Sequence, residues 1–539
     1  MARVRYSLQE LQAQYNGGNL APLEKVIRAF KGIQSLPWGD KNSFFLIGGY
    51  HGEPFHDPDW PGPAPDTYWG GYCNHYNVLF PTWHRAYMLR LENAMRAIAG
   101  CEDVTLPFWD ECLDYNTDTP IPAVLTSPTF VLDGEVINNP LYSYTLPQQL
   151  NDATGQDNRY TKHIGYETVR FPLSGLVGTE IDRVQTELHN SKFKDPASNT
   201  VILNTNVKNW LSGEVVIPDD DPKNPTPKPD IFSVFSLFKQ CLNAPNYTVF
   251  SNKQSATQWV IDSGSKDKYF VVSLEQPHNS IHLALGGFYQ KGVYDADPIL
   301  GANGDIAENN TDGLDPIFFM HHCYIDYAFW TWQKKWGKTA KGSLDVISGY
   351  PGTNSSDPMT SPTPNIPPNT DLTPQTPLAP FSKDDGTYYT SDDVTDIEND
   401  LGYTYGRGSL DPVLSAPEAM APDPAIERPE RLIQATGINR AQYPGSFVVR
   451  TYAKLPSGQK IEIGREAILS RWDVKRCANC QVSLPVEALT PLTGPLIEIL
   501  RSRGVDIDKD FKVEVHSHHD YHLTAPLIGD GDGPGFLVI

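Results

Sequence analysis

The chain has 539 residues, with 43 Lys and Arg against 65 Asp and Glu and a formal net charge of −22. A surface this acidic repels a phosphate backbone, and no Lys/Arg cluster is long enough to reverse that locally, which argues against nucleic-acid binding. At 39% hydrophobic and 11% aromatic the chain can bury a large core in more than one domain, and no run approaches the roughly 20 apolar residues of a membrane helix.

The opening MARVRYSLQELQAQY has no apolar core of signal-peptide type, from which a cytoplasmic enzyme is expected. The cysteines, at 73, 101, 112, 241, 323, 477 and 480, are odd in number and irregularly spaced. A disulfide framework is not expected from them.

Residues 7–35 carry apolar side chains at helical spacing, with Ser7 as an N-cap and Glu10 three residues on, and read as two helices. From Pro81 to Ile98 the pattern of Trp83, Tyr87, Leu91, Met95 and Ile98 predicts an amphipathic helix. Residues 113–270 are polar and punctuated, including DDDPKNPTPKP at 219–229, so long loops with a few short helices are expected to wall the site. LEQPHNSIHLALGG (274–287) ends in a Gly pair, and DPIFFMHHCYIDYAFWTWQKKWG (315–337) opens with Asp-Pro and closes at Gly337. These read as a central helical pair. Residues 350–380 resemble a linker in composition, and GRGSLDPVLSAPEAMAPDPAIERPER (406–431) is a second punctuated stretch. Beyond it SFVVRTYAKL, KIEIGREAIL and FKVEVHSHHDYHL alternate with the strand period, predicting a β-rich tail from about residue 432.

Among the 14 histidines, His278 and His282 are four apart on a predicted helix, so both rings project from one face. His321 and His322 follow on the next helix, with Asp326 placed to accept the ring N–H that a ligating His322 would leave free. His84 lies in an amphipathic helix, with His75 and His51 in the irregular chain before it. Taken singly, each is an ordinary core or solvated histidine. Together they would be six buried titratable groups without a purpose, and metal ligation removes that cost. An all-imidazole donor set suits copper or zinc, and two sets of three suit a pair of coppers sharing dioxygen.

FFLIGGYHGEP (44–54), CNHYNVLFPTWHRAYMLRLE (73–92), EQPHNSIHLALGG (275–287) and DPIFFMHHCYIDYAFWTWQ (315–333) resemble, in order and spacing, the copper A and copper B regions of tyrosinases, the fungal type most closely. NPLYSYTLP (139–147) and YPGTNSSDP (350–358) extend the likeness and keep the Pro-rich stretch inside the catalytic part. The resemblance implies a mainly α catalytic domain with a central four-helix bundle holding a dinuclear type 3 copper site among long irregular loops, followed by a β-rich C-terminal cap. It implies copper A on His51, His75 and His84, and copper B on His278, His282 and His322, with His321 standing behind. Cys73, two before His75, matches the family's thioether to that histidine. Phe318 matches the aromatic residue that restricts access above copper B, and His56 has no ligand counterpart.

The implied activity is ortho-hydroxylation of monophenols and oxidation of o-diphenols to o-quinones with O2, as in melanin-type pigment formation. Glu275 and Asn279 match the pair that orients a water taking the phenol proton. Small phenols are the expected substrates, in a site nearly devoid of Lys and Arg and lined by aromatics. Tyr403-Thr404-Tyr405 matches the motif closing the catalytic domain, with Arg5 as its partner. The division implied is 1–405 catalytic, 406–431 linker and 432–539 cap. Cys477 and Cys480 form a CxxC, a zinc-knuckle half or redox pair in other settings, read here as a copper-delivery site. The histidines at 516, 518, 519 and 522 read as a polar strand face. A homo-oligomer and a copper chaperone are further candidate partners, with no nucleic acid and no membrane. The rival readings are a catechol or o-aminophenol oxidase without hydroxylation, a hemocyanin-like oxygen carrier and a zinc hydrolase.

Overall fold

A computed structural model describes residues 2–52, 71–151, 160–213, 215–227, 233–267, 270–287, 299, 301–355, 366–367, 369–411, 429–443, 445–471, 485–517 and 534–539. Strand β1 (Arg3–Arg5) leads into α1 (Leu8–Asn16), opened by the Ser7 hydroxyl, which accepts the Glu10 N–H at 3.1 Å. Helix α2 (Ala21–Gln34) turns Leu23, Val26, Ile27, Phe30 and Ile33 inward. Helix α3 (Phe44–Gly49) ends just before His51, and α4 (Phe80–Arg96) carries His84. After a short helix α5 (Ala123–Thr126), β2 (Thr129–Leu132) and β3 (Glu135–Asn138) form a hairpin.

The next stretch is more helical than its punctuation implies. It contains α6 (Glu180–Asn190), α7 (Pro196–Ser212), α8 (Val234–Cys241), α9 (Tyr247–Ser251) and α10 (Lys253–Asp267). The 17-residue α7 hides its period because Asn204 and Asn206 stand on its buried face beside Leu203, Val207 and Trp210. Asn206 donates to the Ala284 carbonyl at 2.8 Å and Asn204 accepts the Ile121 N–H at 3.1 Å, so buried amides do the work of apolar side chains.

Helices α11 (Glu275–Gly286) and α12 (Ile317–Trp336) carry the remaining candidate ligands. Gly287 and Gly337, with φ of 67° and 65°, close them by donating back to Leu283 and Gln333. Both α4 and α11 pack against α12. A small hairpin, β4 (Pro377–Ser382) with β5 (Tyr388–Thr390), precedes β6 (Tyr403–Tyr405), which pairs parallel with β1 in the register Arg5↔Tyr405. Arg5 stacks 3.6 Å over the Tyr403 ring, as the sequence led us to expect.

The strand-rich part holds β7 (Arg431–Asn439), β8 (Phe447–Lys454), β9 (Lys460–Ile468), β10 (Pro485–Leu492), α13 (Gly494–Ser502), β11 (Phe511–Ser517) and β12 (Gly535–Val538). Its two antiparallel sheets run β10-β7-β12 and β11-β8-β9. The helical part reaches into this region. Val215 and Ile217 pack with Ile433, Ile461 and Leu496, while Tyr76 packs with Ala435, Phe447 and Ile468. No helix among the described residues is long and apolar enough to cross a membrane.

Candidate metal centre

His51 owes its place to a close approach of backbones. A Cβ on Gly48 would lie 2.5 Å from the Gly313 carbonyl oxygen, and one on Gly313 would lie 2.4 Å from that of Gly48. Only glycines let the end of α3 seat on the 312–314 turn. That contact brings the Asp312 carboxylate 2.7 Å from His51 Nδ1. His84 faces inward one turn into α4, its Nδ1 donating to the Phe80 carbonyl at 2.7 Å. His282 Nδ1 donates to the Ile306 carbonyl at 2.8 Å, and His278 Nδ1 to the Asn279 side-chain oxygen at 2.9 Å. With Nδ1 engaged in each, the Nε2 lone pairs point toward one another, as ligating histidines require.

The Nε2 atoms of His278, His282 and His322 are 3.1–3.2 Å apart. Four nitrogens held at about 2.0 Å around a metal stand about 3.3 Å apart, so this set fits an ion. On the other side His51 and His84 bring Nε2 atoms within 3.3 Å, and the His75 ring centroid lies 5.2 and 5.1 Å from theirs. His75 Nε2 is buried without a hydrogen-bond partner among the described residues, an orphan that a metal would satisfy. The sets face each other, with His84 stacked on His322 at 4.6 Å and His75 5.5 Å from His278. Burial drives the pKa of all six well below the ordinary imidazole range, His282 to about 4, leaving the neutral rings that bind metal.

Cys73 is buried, with Sγ within 4.8 Å of the ligand atoms of His51 and His75. Glu275 is buried at the start of α11, where it accepts the backbone N–H groups of Tyr76 at 2.7 Å and Lys253 at 3.0 Å. Burial outweighs these donors and pushes its carboxyl up to about 7. Asn279 Nδ2 reaches the Ala467 carbonyl at 3.4 Å, so the strand-rich part lies against the His278 side of the centre. His321 stands behind the centre, its Nδ1 against the buried Glu111 carboxyl.

Two expectations are corrected. Asp326 does not serve His322. It takes Arg5, Arg85 and the Tyr403 and Tyr405 hydroxyls instead, because two buried guanidiniums need a carboxylate more than one ring N–H does. Phe318 lies against a histidine of each set. It is fully buried, stacked 4.0 Å from His322 and 4.8 Å from His51 with Tyr87 and Phe319 around it. The surroundings are also not free of cations: Arg471 donates to the His51 carbonyl at 2.9 Å and to Cys73 Sγ at 3.3 Å.

His516 lies on β11 with its Nε2 3.2 Å from Glu514. His56, Cys477, Cys480, His518, His519 and His522 lie outside the described residues. Asp312, Glu111, Tyr76 and Arg471 carried no signal in the sequence, since each meets the site through contacts between distant segments.

The common central domain of tyrosinase matches residues 41–335. A tyrosinase from Hahella sp. (strain CCB-MM4) is 51% identical over 499 residues, covering 91% of this chain and 88% of the relative. A tyrosinase from Aspergillus oryzae is 40% identical over 494 residues, covering 88% and 87%. The solved structure of a tyrosinase from Burkholderia thailandensis at low pH superposes with a TM-score of 0.78 at 44% identity, covering 96% of this chain and 95% of that one.

Proposed function

This chain belongs to the tyrosinase family, an enzyme family of copper oxidases acting on phenols, and on that premise we propose that it both ortho-hydroxylates monophenols and oxidises o-diphenols to o-quinones with O2. The observation that carries the reading is the pair of facing three-imidazole sets, one with its Nε2 atoms 3.1–3.2 Å apart. In this reading His51, His75 and His84 hold one copper ion, and His278, His282 and His322 the other, within a four-helix bundle of α2, α4, α11 and α12. The bound pair supplies the redox chemistry that consumes dioxygen.

The protein's own residues set the rest. Buried neutral imidazoles keep the donor set the same in both copper oxidation states. A thioether from Cys73 to His75 would pin the ligand that sits on irregular chain. Glu275 and Asn279 orient a water that takes the phenol proton, a step that a catechol substrate does not need at the same group. Phenols of the kind oxidised in melanin-type pigment formation are the substrate class, since the buried surroundings are aromatic. We divide the chain into a catalytic domain (1–405), a linker (406–431) and a C-terminal cap (432–539). Contacts of Ala467 with Asn279 and of Arg471 with His51 support a cap seated over the centre. Cys477 and Cys480 are read as a copper-delivery pair, and a cytoplasmic location is proposed.

The test is copper content per chain together with paired initial rates on a monophenol and its catechol. Two coppers and both activities are expected. Catechol oxidation without any hydroxylation would reduce the reading to a catechol oxidase, and reversible oxygen uptake without turnover would make it an oxygen carrier.

A further inference from the structure

Tyr76 directly follows His75 and breaks a local rule. Its φ is 59°, in the left-handed region, and the other non-glycine residues with positive φ among those described are Asp133, Asp219 and Asn369. Short Asp and Asn side chains tolerate that conformation, whereas a bulky side chain disfavours it. A persistent local violation of this kind is held in place by its surroundings.

Here the residue is held from two ends. On the backbone side its N–H donates to Glu275 Oε1 at 2.7 Å. On the side-chain side the phenol ring is buried in the core of the strand-rich part, against Ala435, Ile438, Phe447, Val449 and Ile468. Its hydroxyl donates to the Leu469 carbonyl at 3.0 Å, and the Arg440 guanidinium sits 4.2 Å over the ring. The Asn279 amide lies within reach of the same hydroxyl. Among the described residues, Tyr76 is the one member of that cluster contributed by the helical part. It enters the cap, while Arg471 of the cap enters the centre.

We propose that Tyr76 is a positioning residue: the strand-rich part grips its phenol, the grip keeps residue 76 left-handed, and that backbone fixes His75 and aims the N–H at Glu275. This rests on reading His75 as a copper ligand and Glu275 as the holder of the proton-accepting water. Seating of the cap then sets the geometry on the copper A side as well as covering it.

The experiment uses the full-length chain with a protease site introduced between residues 412 and 428. After nicking, gel filtration at falling concentration reads retention of the strand-rich part, and transfer to a chelator reads copper release. Tyr76→Ala loses the grip, and the nicked part dissociates at least about 100-fold more readily, as expected for truncating a buried aromatic. Tyr76→Phe, which loses only the hydroxyl, weakens retention about fivefold. Arg440→Met, changed from the cap side, weakens it about tenfold and leaves residue 76 itself intact. Tyr76→Gly loses the grip as Ala does but adopts positive φ freely. One of the two coppers is therefore released at least about tenfold faster from Tyr76→Ala than from the wild type, and distinctly more slowly from Tyr76→Gly than from Tyr76→Ala.

Equal release from Ala and Gly would overturn the positioning role. A nicked Tyr76→Ala or Arg440→Met chain that elutes like wild type would overturn the grip. A wild-type chain that takes up no copper would instead overturn the proposed function, with the grip still read by gel filtration.

Discussion

The two histidine sets face each other across one centre but are built differently. His278, His282 and His322 all stand on helices, with His282 tied to a backbone carbonyl and His278 to its own neighbour. In the other set only His84 is on a long helix. His51 follows the short α3, and His75 sits on irregular chain next to a left-handed residue. Their positions depend on Asp312 from another loop and on Tyr76 and Arg471 at the contact with the strand-rich part. The helical set carries its own scaffold, whereas the loop-borne set borrows one from distant segments. Disturbing those segments should therefore affect the two sets unequally.

The severest break removes a ligand from each side. His278→Ala and His75→Ala should each leave one copper per chain and lower catechol oxidation by at least about 1,000-fold, since neither ion alone can do the two-electron chemistry. Metal analysis beside initial rates checks this, and retention of both ions in either variant would remove that histidine from the set. Next in size, Asp326→Asn leaves Arg85 buried without its carboxylate and Arg5 with Glu92 alone, at a cost of about 3–5 kcal/mol. Burial raises the Asp326 pKa, but Arg85 and Arg5 outweigh it and hold the group below its ordinary value. A depressed carboxyl adds stability above its unfolded pKa, and that stability is lost as the pH falls through the folded pKa. Acid unfolding of the wild type should therefore come at a lower pH than that of Asp326→Asn, read as thermal midpoints across the acid range. Because this cluster lies behind both α4 and α12, it should weaken the two sets alike.

A finer probe separates them. Asp312→Asn removes the carboxylate that His51 meets at 2.7 Å, while His282 keeps the Ile306 carbonyl. Loss of such an outer partner costs about 10–100-fold in metal affinity, and one copper of the two should follow that loss in a chelator titration. Equal weakening of both ions would show that Asp312 serves the two sets jointly.

The same contrast explains what could be read from the sequence. His278 and His282 are legible from i, i+4 spacing, the ends of α12 from Asp-Pro and Gly337, and the strand-rich tail from alternation. These signals are local, and local geometry converts them directly into structure. His51 and His75 gain a role only through the family motifs, because nothing in their own neighbourhood has a period. Arg471 meets His51 across 420 residues, and no spacing rule spans that distance. Asp326 shows how a local rule misleads. Its spacing suits His322, yet Arg5 and Arg85, brought in by strand pairing and by α4, compete for the same oxygens and win. In α7 the buried asparagines conceal a helix whose apolar face is interrupted for good hydrogen-bonding reasons.

The smallest expected effect lies where the two sets meet at Glu275 and Asn279. Glu275 begins the helix of one set yet accepts an N–H from the residue after His75, so it belongs to both scaffolds. Asn279→Ala should lower hydroxylation about tenfold and catechol oxidation about twofold, because only the monophenol needs a proton removed by the oriented water. Burial pushes the Glu275 carboxyl up to about 7, against the pull of the Lys253 and Tyr76 N–H groups. The ionised form is the one that can draw a proton through water, and it grows as the pH rises through that value. The ratio of hydroxylation to catechol oxidation should therefore climb from about pH 6 to about pH 8 in the wild type and stay flat in Glu275→Gln. A flat wild-type ratio would assign Glu275 to holding the Tyr76 and Lys253 N–H groups alone.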